Sequence, residues 1–249
     1  MHVFIMYQKR IQVWKDTIKI SDNVIDPPIS IKYKYDRTII LPKVHDTSTI
    51  DFHNNDAINS SFLYPSSLIL NLADDLCPGG SVDVGSGAQE ESIFRRTNYH
   101  KTLLDTFYPI IHGEAIYSPN VTLLKNDQWE LMEHVRHIHL VACPALKYPR
   151  IVLDNQKNPR LSKRDIDRLK EKIITIIQIA VHYKYDTIVF GAMGCGEWCN
   201  PIVHVAEIFQ EVLEMHKGCV LHYVFAILST NDIQPKTIDI FKHVFSSPI

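Results

Sequence analysis

The sequence has 249 residues, 45% of them hydrophobic and 22% charged, with a formal net charge of −2. That suits one large globular domain and supplies a full core without disulfide or metal staples. The slightly acidic balance argues against a global basic field that recruits nucleic acid, and no apolar run reaches the length of a membrane span. The five cysteines are irregularly spaced and no secretory signal precedes them. Reduced thiols in a cytoplasmic or nuclear setting are therefore expected.

In chain order, Lys9–Ile20 places Ile11, Trp14 and Ile18 at helical intervals and predicts an amphipathic helix,. Two prolines in "SDNVIDPPIS" break it,. Arg37–Pro42, "RTIILP", reads as a short strand ended by proline, and residues 43–60 are polar and weakly patterned. Ser66–Ala73 reads as a buried strand, and "EESIFRRTNYHKTLLDTF" as a helix with Ile93, Tyr99, Leu103 and Phe107 among its apolar positions. "AIYS" and "VTLL" predict two strands joined by a turn at "PN"; His137–Cys143 predicts another strand. A long helix follows, with Ser162 as its N-cap and Asp165 in its first turn,. Then come strand "DTIVFGA", helix "IVHVAEIFQEVLEMH", strand "CVLHYVFAIL" and a closing helix with proline at its start,. This alternation predicts an α/β/α layered domain with a mixed, mostly parallel sheet and an N-terminal helical extension.

Two glycine-rich segments follow directly after buried-type strands: "NLADDLCPGGSVDVGSGAQEE" and "GAMGCGEWCNP". In open α/β sheets ligands bind beyond the carboxyl ends of the strands, so both loops are expected at one rim. Neither carries the spacing of a Rossmann fingerprint or a Walker lysine. Backbone without Cβ atoms can approach a phosphate closely, and "GCG" ahead of a helix suits a diphosphate cradle. The competing reading is a tight strand-to-helix turn through Gly191, Gly194 and Gly196. Trp198 reads either as an aromatic at a pocket edge or as a core tryptophan. Glu90 and Glu91 open a helix, where the dipole favours carboxylates. With Gln89 beside them and glycines ahead of them, they suit acid–base work on a sugar hydroxyl better than a solvated face. The thirteen histidines show no metal-ligand spacing, and neither metal nor cofactor is expected,.

Gly79-Gly80-Ser81, seven residues, then Gln89-Glu90-Glu91 resembles the signature of the poly(ADP-ribose) glycohydrolases, in which three glycines precede Gln-Glu-Glu by six to eight residues. The wider context from Asn71 to His100, and "GAMGCGEWCNP", are similar to the microbial-type branch. "KRIQVWKDTIKI", "AIYSPNVTLL" and "VACPALKYP" are similar to its weaker motifs. The resemblance implies a single macrodomain-like domain over residues 1–249, with 1–60 packed on it as an extension. It implies hydrolysis of ribose–ribose bonds in poly(ADP-ribose), with release of ADP-ribose. Glu91 would then protonate the leaving ribose oxygen and help activate water, while Glu90 would orient the scissile ribose. Asn71 and Asp74 would lie near the distal ribose. Backbone at Gly79, Gly80 and Ser81, and at Gly194, Cys195, Gly196, Glu197 and Trp198, would embrace the diphosphate.

Four departures from the pattern stand out: Ser81 for a third glycine, Met193 for a tryptophan, Cys199 for a glycine, and a shortened Asn200-Pro201. An ADP-ribose reader without hydrolysis and a mono-ADP-ribosyl hydrolase are the alternatives. The expected partners are poly(ADP-ribose) or an ADP-ribosylated protein, and the expected state is a monomer.

Overall fold

The computed structural model describes residues 2–228 and 235–247. Helix α1 (His2–Ser21) is followed by strand β1 (Ile31–Lys34), strand β2 (Thr49–His53), helix α2 (Ala57–Ser61), strand β3 (Ser67–Asn71) and helix α3 (Gln89–Arg96). Long strands β4 (Glu114–Lys125) and β5 (Leu131–Ala142) come next, then a small hairpin, β6 (Ile151–Leu153) and β7 (Pro159–Leu161). Helix α4 (Lys163–His182), strand β8 (Thr187–Phe190), helix α5 (Ile202–Met215), strand β9 (His222–Ala226) and helix α6 (Thr237–Ser246) complete the order.

Seven strands form one mixed sheet in the order β1-β4-β5-β3-β8-β9-β2. The β5-β3-β8-β9-β2 run is parallel, whereas β4 is antiparallel to both β1 and β5. Side-chain alternation splits the core in two. Leu68, Leu70, Ile188, Phe190, Tyr223 and Phe225 face the cluster built with α4, α5 and α6. Ile69, Val189 and Val224 face the cluster that holds Trp14, Ile58, Ile93 and Phe94 from α1, α2 and α3. Central strands buried on both faces read as continuous apolar runs, which is why they were legible.

Four sequence expectations are corrected. In α1 the buried stripe is Trp14, Thr17 and Ser21, while Ile18 is exposed. Thr17 is buried because its hydroxyl donates to Arg95 O at 2.6 Å and accepts from Lys125 Nζ at 2.9 Å. Arg37–Pro42 forms no strand; the edge strand is "IKYK", whose period-two alternation pairs it with β4. The helix expected over residues 90–107 ends at Arg96, since Thr97 turns extended and bridges to Leu123. "PN" makes no turn between two strands. It is a bulge inside one twelve-residue strand, where Asn120 takes a positive φ of 52°,. Ser162 caps α4 as expected, accepting from Asp165 N.

Candidate active site

β3 and β8 are parallel neighbours, so the loops that follow them leave the sheet at the same edge. Their first residues adjoin: a Cβ added to Gly191 would stand 3.0 Å from Leu72 Cδ1. α3 begins at the end of the first loop and turns its opening side chains back onto that edge. Gln89 uses both ends of its amide on the exit of β3. Its Oε1 accepts from Leu72 N at 2.7 Å, and its Nε2 donates to Leu70 O at 2.7 Å. This clamp seats the helix start on the strand end.

Glu90 is buried and fully engaged. Its Oε1 accepts from Asn71 Nδ2 at 3.1 Å and from Gly79 N at 3.2 Å; its Oε2 accepts from Asp74 N at 2.7 Å. Burial pushes its carboxyl up to about 8, against the pull of those three donors,. Glu91 is only 6% exposed and differs in one respect. Its Oε1 accepts from Ser81 N at 3.1 Å, but its Oε2 is buried with no partner among the described residues. A buried carboxylate oxygen without a donor is costly, and such atoms mark sites completed by something other than the chain. Asn71 Oδ1 and the Tyr108 hydroxyl are orphaned in the same way. Burial, then Glu90, Tyr99, Cys77 and Asp74 around it, push the Tyr108 hydroxyl far up. Tyr108 lies in an irregular stretch after α3, and no residue pattern pointed to it.

The first loop is bare for a physical reason. Gly80 has φ +53°, and a Cβ there would stand 3.0 Å from Glu91 Oε1 and 3.3 Å from Glu90 Oε2. Its backbone lies directly on the two carboxyls, an approach that a Cβ would crowd in a conformation glycine adopts most readily,. The amides of Gly79 and Ser81 hold those carboxyls. Ser81 itself is unstrained at φ −102°, with an exposed side chain that makes no cap bond.

In the second loop Gly194 has φ +71°, and a Cβ would meet Asn200 Nδ2 at 2.4 Å. Buried Asn200 donates to Leu146 O at 2.7 Å, Gly194 O at 3.1 Å and Trp198 O at 3.2 Å, closing residues 194–200 into a turn. In sequence Asn200 stood out only as part of a shortened motif. Gly196 has open space where a Cβ would go, and Glu197 is exposed. Burial pushes the Cys195 thiol up to about 12, and Met193 is wholly buried in the larger core cluster. Trp198 packs partly against that cluster, with Lys147 Nζ 5.6 Å from its ring centroid. The same ammonium lies 3.2 Å from Asp75 Oδ1 and 3.5 Å from Asp74 Oδ2. Lys147, not foreseen from the sequence, thus ties the two loops together.

A cavity of about 420 Å³ opens beside this arrangement, lined by Leu72, Gln89, Arg96, Cys195 and Gly196 among others. Of the expected residues Gln89, Cys195 and Gly196 line it. Glu90, Glu91, Asn71 and Trp198 stand apart from it. Among the described residues no three His, Cys, Asp or Glu side chains gather as a metal-ligand group, and no helix is long and apolar enough to cross a membrane.

The family model described as microbial-type PARG, catalytic domain, matches residues 24–126, which hold the first loop and both glutamates. The poly(ADP-ribose) glycohydrolase structure from Thermomonospora curvata superposes with a TM-score of 0.80 at 20% identity, covering 96% of this chain and 100% of that chain. The structure of that enzyme bound to the inhibitor ADP-HPD gives 0.77 at 20% identity, covering 95% and 99%. The poly(ADP-ribose) glycohydrolase from Deinococcus radiodurans in complex with ADP-ribose gives 0.68 at 22% identity, covering 83% and 88%. No curated protein matches the sequence. The fold is the macrodomain-like arrangement of these structures, and the resemblance to the microbial-type branch is carried by residues 24–126.

Proposed function

We propose that this chain, whose residues 24–126 match the microbial-type PARG catalytic domain and whose fold is that of bacterial poly(ADP-ribose) glycohydrolases, hydrolyses ribose–ribose O-glycosidic bonds of poly(ADP-ribose) and releases ADP-ribose. The observation that carries the reading is the asymmetry of the glutamate pair. Glu90 accepts three donors across both of its oxygens, whereas Glu91 keeps Oε2 unpartnered among the described residues in a buried setting.

Glu91 acts as the general acid. Its proton passes to the leaving ribose oxygen as an oxocarbenium-like transition state develops at the anomeric carbon. The carboxylate then takes a proton from the attacking water. Glu90 fixes Asn71, Asp74 and the Gly79 backbone around the scissile ribose and orients its hydroxyls. The diphosphate lies between backbone of Gly79–Ser81 and of Gly194–Trp198, with Trp198 over it. The 420 Å³ cavity takes the adenosine end; that volume falls in the usual range for small-molecule sites,. Residues 1–249 work as one catalytic unit. The substrate is the polymer or an ADP-ribosylated protein.

The test is to incubate the protein with poly(ADP-ribose) and, separately, with mono-ADP-ribosylated protein, without added metal, and to quantify released ADP-ribose. Release from the polymer is expected. Release only from the mono-modified protein would move the substrate to a side-chain linkage. Binding of ADP-ribose with no release from either would make the protein a reader and overturn the catalytic reading.

A further inference from the structure

A second concavity begins where the proposed active site ends. It has a volume of about 490 Å³ and is lined by Leu146–Arg150 on one side and by Ser162, Arg164, Asp165 and Arg168 at the start of α4 on the other. Ser162 N donates to Arg150 O at 3.2 Å, which holds the two walls together. The lining is strongly cationic in a chain whose formal net charge is −2. Its only carboxylate, Asp165, is occupied: Oδ2 accepts from Ser162 Oγ at 2.7 Å, and Oδ1 lies 3.8 Å from Arg168 Nη1. Arg150 and Arg164 are exposed and, among the described residues, make no ion pair. A more open depression of about 410 Å³ shares Arg164 and Arg168 and adds His112, Asp167 and the exposed Lys163, which makes no ion pair among the described residues.

The position of this groove matters as much as its charge. Lys147 lines it, and the Lys147 ammonium also reaches Asp74, Asp75 and the face of Trp198. Leu146 lines it too, and the Leu146 carbonyl holds Asn200 of the second loop. Arginines in a fork geometry, on a concave wall and without carboxylate partners, match phosphate oxygens.

We propose that this groove binds the diphosphate of the neighbouring ADP-ribose unit, the one attached to the ribose that leaves when the glycosidic bond breaks. The proposal rests on the glycohydrolase reading above. The terminal unit occupies the glutamate site; the next diphosphate lies along Lys147, Arg150 and Arg164. The groove therefore favours polymer over monomer through contacts that free ADP-ribose does not make.

The experiment compares wild type with Arg150→Glu/Arg164→Glu, two exposed changes outside the catalytic machinery. The double variant is expected to raise KM for poly(ADP-ribose) by about tenfold and to flatten its salt dependence. It should leave kcat and the affinity for ADP-ribose unchanged. An unchanged KM in a protein that cleaves the polymer overturns the groove while leaving the glycohydrolase reading intact. A binding arm works without turnover: in Glu91→Gln protein, labelled oligo(ADP-ribose) should bind more tightly than ADP-ribose, and the two charge reversals should erase that gap. Equal affinity for oligomer and monomer overturns the proposal even if no cleavage is seen. So does displacement of the oligomer by pyrophosphate or single-stranded DNA at comparable concentration, which would make the groove a generic anion surface.

Discussion

Glu90 and Glu91 are adjacent in sequence yet occupy different chemical settings. Glu90 accepts three N–H donors, while Glu91 accepts one and leaves an oxygen buried and unpartnered. Replacing Glu91 by glutamine keeps shape and one acceptor but removes the transferable proton. Glu91→Gln should lower polymer hydrolysis by roughly 10²–10⁴-fold, the usual worth of acid–base assistance, with ADP-ribose affinity little changed. Steady-state release assays and calorimetry check the two halves, and near wild-type turnover would remove Glu91 from the mechanism. Glu90 makes a separate prediction through linkage. Burial raises its carboxyl from the ordinary 4.5 to about 8. A raised folded-state value means that the folded chain holds a proton which the unfolded chain has released. The contribution of Glu90 to stability is then full below about 4.5 and is lost as pH rises through about 8,. Denaturant midpoints measured across that window should show wild type losing stability relative to Glu90→Gln, with no further divergence above it. Parallel profiles would mean that the three donors outweigh burial.

The loops show how an element tolerates a change of pattern. Ser81 stands where the family pattern has glycine, and its negative φ and exposed side chain explain why a Cβ fits. Ser81→Gly should therefore leave polymer turnover equal or slightly higher; a large loss would show that the hydroxyl touches substrate. Cys199 is the opposite case, with φ +54° where the pattern again has glycine. Left-handed backbone costs a side chain about 1–2 kcal/mol, and glycine gives back roughly 0.5–1 kcal/mol in unfolded-chain entropy. Cys199→Gly should raise unfolding stability by about 0.5 kcal/mol, and a loss of stability would contradict the strain. The same contrast explains what was legible. Leu68–Leu70 and Ile188–Phe190, buried on both faces, announce central strands by composition alone. Edge strands β1 and β2 have one partner each and half-exposed side chains, so "IKYK" and "TIDFH" carried little signal. α3 stopped early because Thr97 bridges to Leu123, a tertiary contact that no helical period reveals. The glutamate pair and both glycine loops were visible as residue patterns. Lys147, Tyr108 and the role of Asn200 depend on chain segments far apart in sequence, so they were not.

At the scale of the molecule, two cores lock the sheet between helical layers, and the parallel strands bring both loops to one edge. Of the buried polar atoms without a partner among the described residues, those of Asn71, Glu91, Tyr108 and Asn200 lie at that edge, while others, the Tyr99 and Thr187 hydroxyls among them, lie elsewhere in the fold. Leaving such atoms unsatisfied costs on the order of 1–3 kcal/mol each, so the fold carries at its rim a cost that the cores must offset. A ligand supplying the missing hydrogen bonds binds the folded state alone, and its binding free energy then adds to stability by mass action. If ADP-ribose is that ligand, a concentration about 100 times its dissociation constant stabilises the fold by about 2.7 kcal/mol. In a chain of this size that corresponds to a rise of roughly 5–10 °C in Tm. The rise should need no added metal, should grow with the logarithm of ligand concentration, and should persist in Glu91→Gln, which keeps most of the site. Thermal unfolding at millimolar ADP-ribose measures it directly. A Tm that stays put would mean that the orphaned atoms belong to some other ligand, whatever the fold resembles.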